Sequence, residues 1–161
     1  MTRNNQNRRV VVLGIGNSLL TDDGVGIHVV DKLRTREDIG ESVALFDGGT
    51  LGLALLPEIE DADGLIVVDA GDVDAAPGDV RSFEGEAFSR QIGGRKKTVH
   101  EVALADLMDA ALLSGRAPRQ CALVTVQPQS TEWGLEPTPA VAAAIPAACD
   151  TVIEIVRRWG A

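Results

Sequence analysis

Leu65-Ile66-Val67-Val68-Asp69 is the segment that most narrows the fold of this chain. Four consecutive aliphatic residues with no polar alternation describe a strand buried on both faces, as in a parallel sheet covered by helices on each side. Val10–Leu13, which ends at Gly14, repeats the pattern. Between and beyond these runs the apolar period lengthens to that of a helix. The spacing predicts a helix from about Thr21 to Thr35, with Gly26, Val29, Val30 and Leu33 on one stripe. Strands are expected over Ser42–Asp47 and Gln120–Val126, with a weaker one, at a sheet edge, over Asp79–Phe83. Thr50–Ile59 reads as a helix and Asp72–Gly78 as a turn. Phe88–Lys97 reads as a mobile loop, because Gly93-Gly94 is followed by Arg95-Lys96-Lys97.

Thr98–Leu113 reads as a helix with Leu104, Leu107, Met108, Ala111 and Leu112 on one face, opened by a capping box of Thr98 and Glu101. A last helix starts at Thr138 as N-cap and Pro139, with a kink expected at Pro146. This order predicts an α/β fold: a three-layer, doubly wound, mostly parallel five-stranded sheet with helices on both faces. Residues 1–8 are expected to be a disordered tail and residues 9–161 a single α/β domain.

Charge restricts the partners. The chain has 24 acidic against 15 basic residues, a net charge of −9. That balance argues against nucleic acid and against an anionic membrane surface, both of which call for clustered cations. No apolar run approaches the ~18 residues of a membrane span. Arg8-Arg9 ahead of Val10 imitates a twin-arginine export signal, but Asn17 and Thr21-Asp22-Asp23 interrupt the apolar region. Cys121 and Cys149 are too few for a four-thiolate zinc site or a disulfide scaffold; they read as packing residues in a reducing compartment. The expected location is the cytoplasm.

Ligands of open α/β sheets bind beyond the carboxyl ends of the strands, where strand order reverses. Three segments fall there: Gly14–Gly24, Asp69–Asp72 and Lys97–His100. Gly14-x-Gly16, with Asp47 closing the next strand, suggests a dinucleotide loop. Leu19 at the third glycine position, and the acids Asp22 and Asp23 where a pyrophosphate would lie, speak against it. The chain contains no Gly-Lys-Ser/Thr phosphate loop, no Gly-x-Ser-x-Gly elbow and no His-Glu-x-x-His.

One of Asp22 and Asp23 is expected to cap the helix that follows, which leaves the other available. Asp69 either points into the crevice or forms the turn ahead of Gly71. His100 falls at the second helical position, where the helix dipole is expected to lower its pKa and keep the ring neutral, the metal-ligating form. His28 lies off its apolar stripe and is expected to face solvent. Two carboxylates and an imidazole from separate segments suit an open, three-ligand divalent site of the nickel, zinc or iron type, empty until substrate arrives.

The motifs also carry a resemblance. Val12-Leu-Gly-Ile-Gly-Asn-Ser-Leu-Leu-Thr-Asp-Asp-Gly-Val-Gly26 resembles the opening signature of the nickel–iron hydrogenase maturation endopeptidases. Phe46-Asp-Gly-Gly-Thr50, Ile66-Val-Val-Asp-Ala70 and His100 ahead of Ala105-Asp-Leu107 are similar to later motifs of that family, in order. So are Gln127-Pro-Gln-Ser, Trp133-Gly-Leu and Pro137-Thr-Pro139; the likeness covers roughly residues 9–157.

The resemblance implies a protease that removes a C-terminal extension from the precursor of a hydrogenase large subunit once nickel is in place. It implies that Asp23, Asp69 and His100 contact that substrate-borne nickel and form the catalytic site, and that no organic cofactor takes part. Position 23 is Asp where some relatives carry Glu, and Ala103 stands where relatives often have Gly. The expected partner is the precursor, the expected state a monomer, and the acid surplus is expected to favour a cationic, metal-bearing target. Two other readings stay open: a metal-sensing maturation chaperone that inspects without cutting, and a nucleotide-binding α/β protein.

Overall fold

The computed structural model describes residues 8–49, 53–94 and 98–161. Five strands form one sheet: β1 (Val10–Ile15), β2 (Val43–Gly49), β3 (Gly64–Ala70), β4 (Val80–Glu84) and β5 (Gln120–Val126). Their spatial order is β2-β1-β3-β5-β4. The first four in that row run parallel, and β4 closes the edge antiparallel to β5. Among the described residues, five α-helices accompany the sheet: α1 (Val25–Leu33), α2 (Leu56–Glu60), α3 (Glu86–Gly93), α4 (Val99–Leu113) and α5 (Pro139–Arg158).

The continuous apolar strands are explained by the two faces they serve. Val10, Val12, Ile66, Val68 and Val124 pack under α1 and α5. Val11, Leu13, Leu65, Val67 and Leu123 pack under α2, α3 and α4. In register, Val12 sits opposite Ile66 and Leu13 opposite Val67, so successive residues feed opposite layers. The chain moves from β1 to β2 on one side and then to β3 on the other, so the order reverses at β1. The crevice between the carboxyl ends of β1 and β3 is therefore the expected ligand position.

Glycines draw α1 into that crevice. A Cβ on Gly14 would stand 2.4 Å from the carbonyl oxygen of Gly26, and one on Gly26 would stand 2.2 Å from that of Val68. The start of α1 thus rests directly on the backbone of β1 and β3.

Several expectations need correction. The helix predicted from Thr21 is a 3-10 turn at Thr21–Gly24 followed by α1. Phe88–Lys97 is not a loop as far as it is described: Glu86–Gly93 is helical, and Phe88 is buried against the α4 side of the sheet with Ile92 packed beside it. These two, four residues apart, are the helical signal that the glycine pair obscured. Arg95, Lys96 and Lys97 lie outside the described residues, as do Thr50–Gly52 of the predicted Thr50–Ile59 helix, of which Leu53–Leu55 is a 3-10 turn and Leu56–Glu60 is α2. Leu112, assigned to the apolar face of α4, is 63% exposed.

Of the predicted tail, residues 1–7 lie outside the described residues, and the Arg8 guanidinium donates to the Trp159 carbonyl oxygen at 2.9 Å. Helix α5 continues through Pro146. By length and composition α5 would also pass for a membrane span, against the expectation that no segment does. Its apolar side, Val141 to Val156, belongs to the core against α1.

Candidate active site

The loop leaving β1 returns on itself. Gly16, at φ +130°, has no room for a side chain, since a Cβ would stand 2.0 Å from the Asp23 carbonyl oxygen. This contact folds Asn17–Leu20 over the turn that carries Asp22 and Asp23. Both acids are buried, and they do different things.

Asp22 is a staple. Its carboxylate accepts from the amides of Gln129 (2.9 Å), Ser130 (3.0 Å) and Thr138 (2.7 Å), and from the Thr138 hydroxyl. Burial works against its charge, but the amides of Ser130, Gln129 and Thr138 outweigh it and hold the carboxyl below the ordinary range. Asp22 therefore does not cap α1. It ties the β1 loop to the segment joining β5 to α5, and the Thr138 hydroxyl serves Asp22 instead of capping its own helix. Around the staple, Thr21 is held at φ +47°, a conformation β-branched residues rarely adopt. Its hydroxyl donates to the carbonyl oxygens of Ser130 (2.6 Å) and Glu132 (3.1 Å). Its amide donates to that of Gly134 at 2.8 Å.

Asp23 turns inward. Oδ2 accepts from the Asn17 amide at 3.0 Å, and Oδ1 lies 3.0 Å from Nε2 of His100. Asp69 closes the same group from the end of β3, with Oδ2 3.4 Å from Nδ1 of His100, longer than a good hydrogen bond. Among the described residues, Nδ1 of His100 and Oδ1 of Asp69 have no hydrogen-bond partner. The capping box predicted at the start of α4 is present: the Glu101 amide donates to Oγ1 of Thr98, and the Thr98 amide donates to the Glu101 carboxylate. It fixes the first turn of α4 and so aims His100.

The three residues singled out from sequence are thus brought together, with the imidazole between the two carboxylates. Their charge state differs from the expectation. Burial disfavours the imidazolium, yet Asp23 and Asp69 overcome it and raise the His100 pKa well above the ordinary value. The helix dipole does not keep this ring neutral, because the Asp23 and Asp69 side chains on either side of it favour the charged form. Burial opposes ionisation of Asp23 too, but His100 and the Asn17 amide bring its pKa below the usual range. Burial dominates at Asp69 and raises its pKa, despite His100. Among the described residues, no three His, Cys, Asp or Glu side chains stand ready to hold a metal ion. The ring nitrogens here point at separate acids.

Next to Asp69 lies a cleft of about 400 Å³, bordered by Gly71, Asp72, Arg90, Leu104 and Thr125. Thr125 sits opposite Asp69 in the β3–β5 register. Its hydroxyl is buried and, among the described residues, without a partner. Sequence reasoning missed Thr125; the signal was a hydroxyl on an otherwise apolar buried strand. His28 does not face solvent as expected: it is half-buried, with Nε2 enclosed, because α1 is flanked by β2 and α5 as well as the sheet beneath it. Asp47, the acid of the nucleotide reading, accepts from the Gly49 amide at the end of its own strand, β2. Cys149 is buried and Cys121 half-buried, both as free thiols, consistent with packing roles.

Comparison with known proteins decides the family. Residues 27–155 match the model of the hydrogenase maturation protease family. The chain belongs to the hydrogenase maturation protease family. Members of this family are endopeptidases, hydrolases acting on peptide bonds. The chain is 35% identical over 153 residues to the hydrogenase 2 maturation protease of Escherichia coli, covering 94% of this chain and 93% of that one. It is 35% identical over 161 residues to the hydrogenase expression/formation protein HupD of Bradyrhizobium diazoefficiens, covering 99% and 84%. The solved hydrogenase maturating endopeptidase HybD of E. coli superposes with a TM-score of 0.88 over 94% of each chain at 35% identity. Membership in the hydrogenase maturation proteases sets aside the nucleotide reading of the Gly14-x-Gly16 loop: its glycines bring α1 and Asp23 close to the sheet.

Proposed function

We propose that this protease removes the C-terminal extension of a nickel–iron hydrogenase large-subunit precursor after nickel insertion, and that Asp23, Asp69 and His100 meet the nickel carried by that substrate. The observation that carries the reading is the buried His100 ring held between Asp23 and Asp69 at the switch-point crevice, beside a cleft about 400 Å³ in volume. A cation reaching this group takes the place of the ring proton, as metal binding to imidazole requires. Two carboxylates and one neutral imidazole then face the metal, a donor set suited to a borderline divalent ion.

Hydrolysis adds water across the peptide bond to give a carboxylate and an amine. Asp69 lines the cleft and keeps one oxygen unpaired among the described residues, so it is the acid placed to accept the proton of the attacking water. The nickel marks which chain end is ready to be cut.

The test is cleavage of purified nickel-loaded and nickel-free precursor, followed by the size of the large subunit. Cleavage confined to the loaded form is the expected result, with Asp69→Asn and His100→Ala inactive on it. Equal cleavage of both forms removes nickel from the mechanism. A stable complex that never loses its C-terminal peptide favours the chaperone reading.

A further inference from the structure

Large apolar side chains left in water gather beside the site. Trp133 is 80% exposed, Leu135 66% and Leu19 48%. They come from two loops that are paired: Leu20 and Gly134 form a parallel bridge, and the Gly134 amide donates to the Leu19 carbonyl oxygen at 2.9 Å. Asp22 and Thr21 lock both loops from beneath. The three side chains are therefore presented on a braced surface, with an indole, the side chain most enriched among interface hot spots, at its tip. In a chain with two Trp, three Phe and no Tyr, an exposed indole stands out.

We propose that Leu19, Trp133 and Leu135 form the platform on which the folded body of the substrate docks, and that the matching surface is an apolar patch rimmed by Lys or Arg. The substrate's identity rests on the function proposed above; the platform rests on the exposure and bracing of these residues. Two observations select this occupant. First, the platform is continuous with the site: Leu20, Thr21, Asp22 and Asp23 are consecutive, so a body seated on Leu19 and Trp133 lies within one turn of the carboxylate that holds His100. Second, the rim is acidic. Glu132 and Glu136 flank the apolar residues, and neither residues 17–24 nor residues 120–138 contain a Lys or Arg. A second copy of the chain would set Glu132 and Glu136 against their equals, whereas a basic-rimmed partner is attracted.

The experiment measures binding and cleavage of nickel-loaded precursor by the wild type, by Trp133→Ala/Leu135→Ala and by Leu113→Ser, a control at an 89% exposed leucine at the end of α4. The double variant is expected to raise both Kd and KM at least about tenfold, as loss of a hot-spot pair does, with kcat and Tm unchanged. The control is expected to match the wild type. Glu132→Lys/Glu136→Lys is expected to slow association at low salt and to converge on the wild type at high salt.

A double variant with wild-type Kd and KM overturns the proposal. So does a wild-type dimer in sedimentation that the double substitution dissolves, since the platform then serves self-association. A wild type that binds precursor without cutting it overturns the proposed function alone, and the platform is judged by whether the double variant loses that binding. Failure to bind precursor at all overturns both.

Discussion

Replacing Asp22 by Ala leaves three backbone amides and a hydroxyl without their acceptor in a fully buried position. The expected loss is about 3 kcal/mol, measurable as a lower midpoint in urea. Asp23→Asn is expected to keep the fold within about 1 kcal/mol, because an amide oxygen still accepts from Asn17, and to abolish cleavage of the precursor. With those outcomes, neighbouring acids would separate stability from activity. Their roles were only partly legible in the sequence. Asp69 and His100 stood out by their places at a strand end and a helix start, whereas the choice of Asp23 over Asp22 came from the family resemblance. The stapling role of Asp22 was not legible, because its partners lie more than 100 residues away. The charge of His100 was misread for a similar reason: it depends on two acids that only the fold brings to the ring.

The thiols offer a pH test at this scale. Burial pushes Cys121 up to about 11 and raises Cys149 as well. Thiolate is the reactive form, so a raised pKa means less of it at neutral pH. Alkylation of the native protein at pH 8 is expected to be slow at both positions and, at Cys121, to accelerate only as pH approaches 11. Unfolding in urea is expected to restore ordinary rates at pH 8, read by mass spectrometry.

Two glycine substitutions distinguish what the elements need. Gly26→Ala drives a methyl into the carbonyl oxygens of Val68 and Ile15, both backbone atoms with nowhere to go. A loss of more than about 3 kcal/mol is expected, with the first turn of α1 pushed off the sheet. Gly93→Ala, at the end of α3, meets nothing within 4 Å and is expected to stabilise by about 0.5–1 kcal/mol through helix propensity. Thermal melts of the two variants should move in opposite directions. Elements with long apolar periods, such as α4 and α5, were readable from spacing alone. Helix α3 was not, because eight residues carry only Phe88 and Ile92 as signal and end in glycine. The bounds of β5 were readable because Gln120 and Gln127 bracket the apolar run.

For the whole molecule, the layer count and the sheet type followed from the alternation of apolar runs with helical stripes, whereas the strand order did not. No residue of β1 announces that β2 and β3 will lie on opposite sides of it. Native-state hydrogen exchange should reveal that order. Amides of β1 and β3 at the centre are expected to open only with global unfolding, and those of β4 and the less buried β2 at the edges to open earlier.

The staple at Asp22 has a consequence for the chain's own synthesis. Its acceptor oxygens wait for Gln129, Ser130 and Thr138, which are synthesised more than 100 residues after it. The β1 loop cannot take its final shape around a nascent fragment, however well β1, β2 and β3 have already paired. A stalled or prematurely terminated product therefore carries Asp23, Asp69 and His100 without the bracing that positions Asp23. If Asp23 serves the reaction as proposed, a chain that stops short of Gln129, Ser130 and Thr138 is expected to be silent.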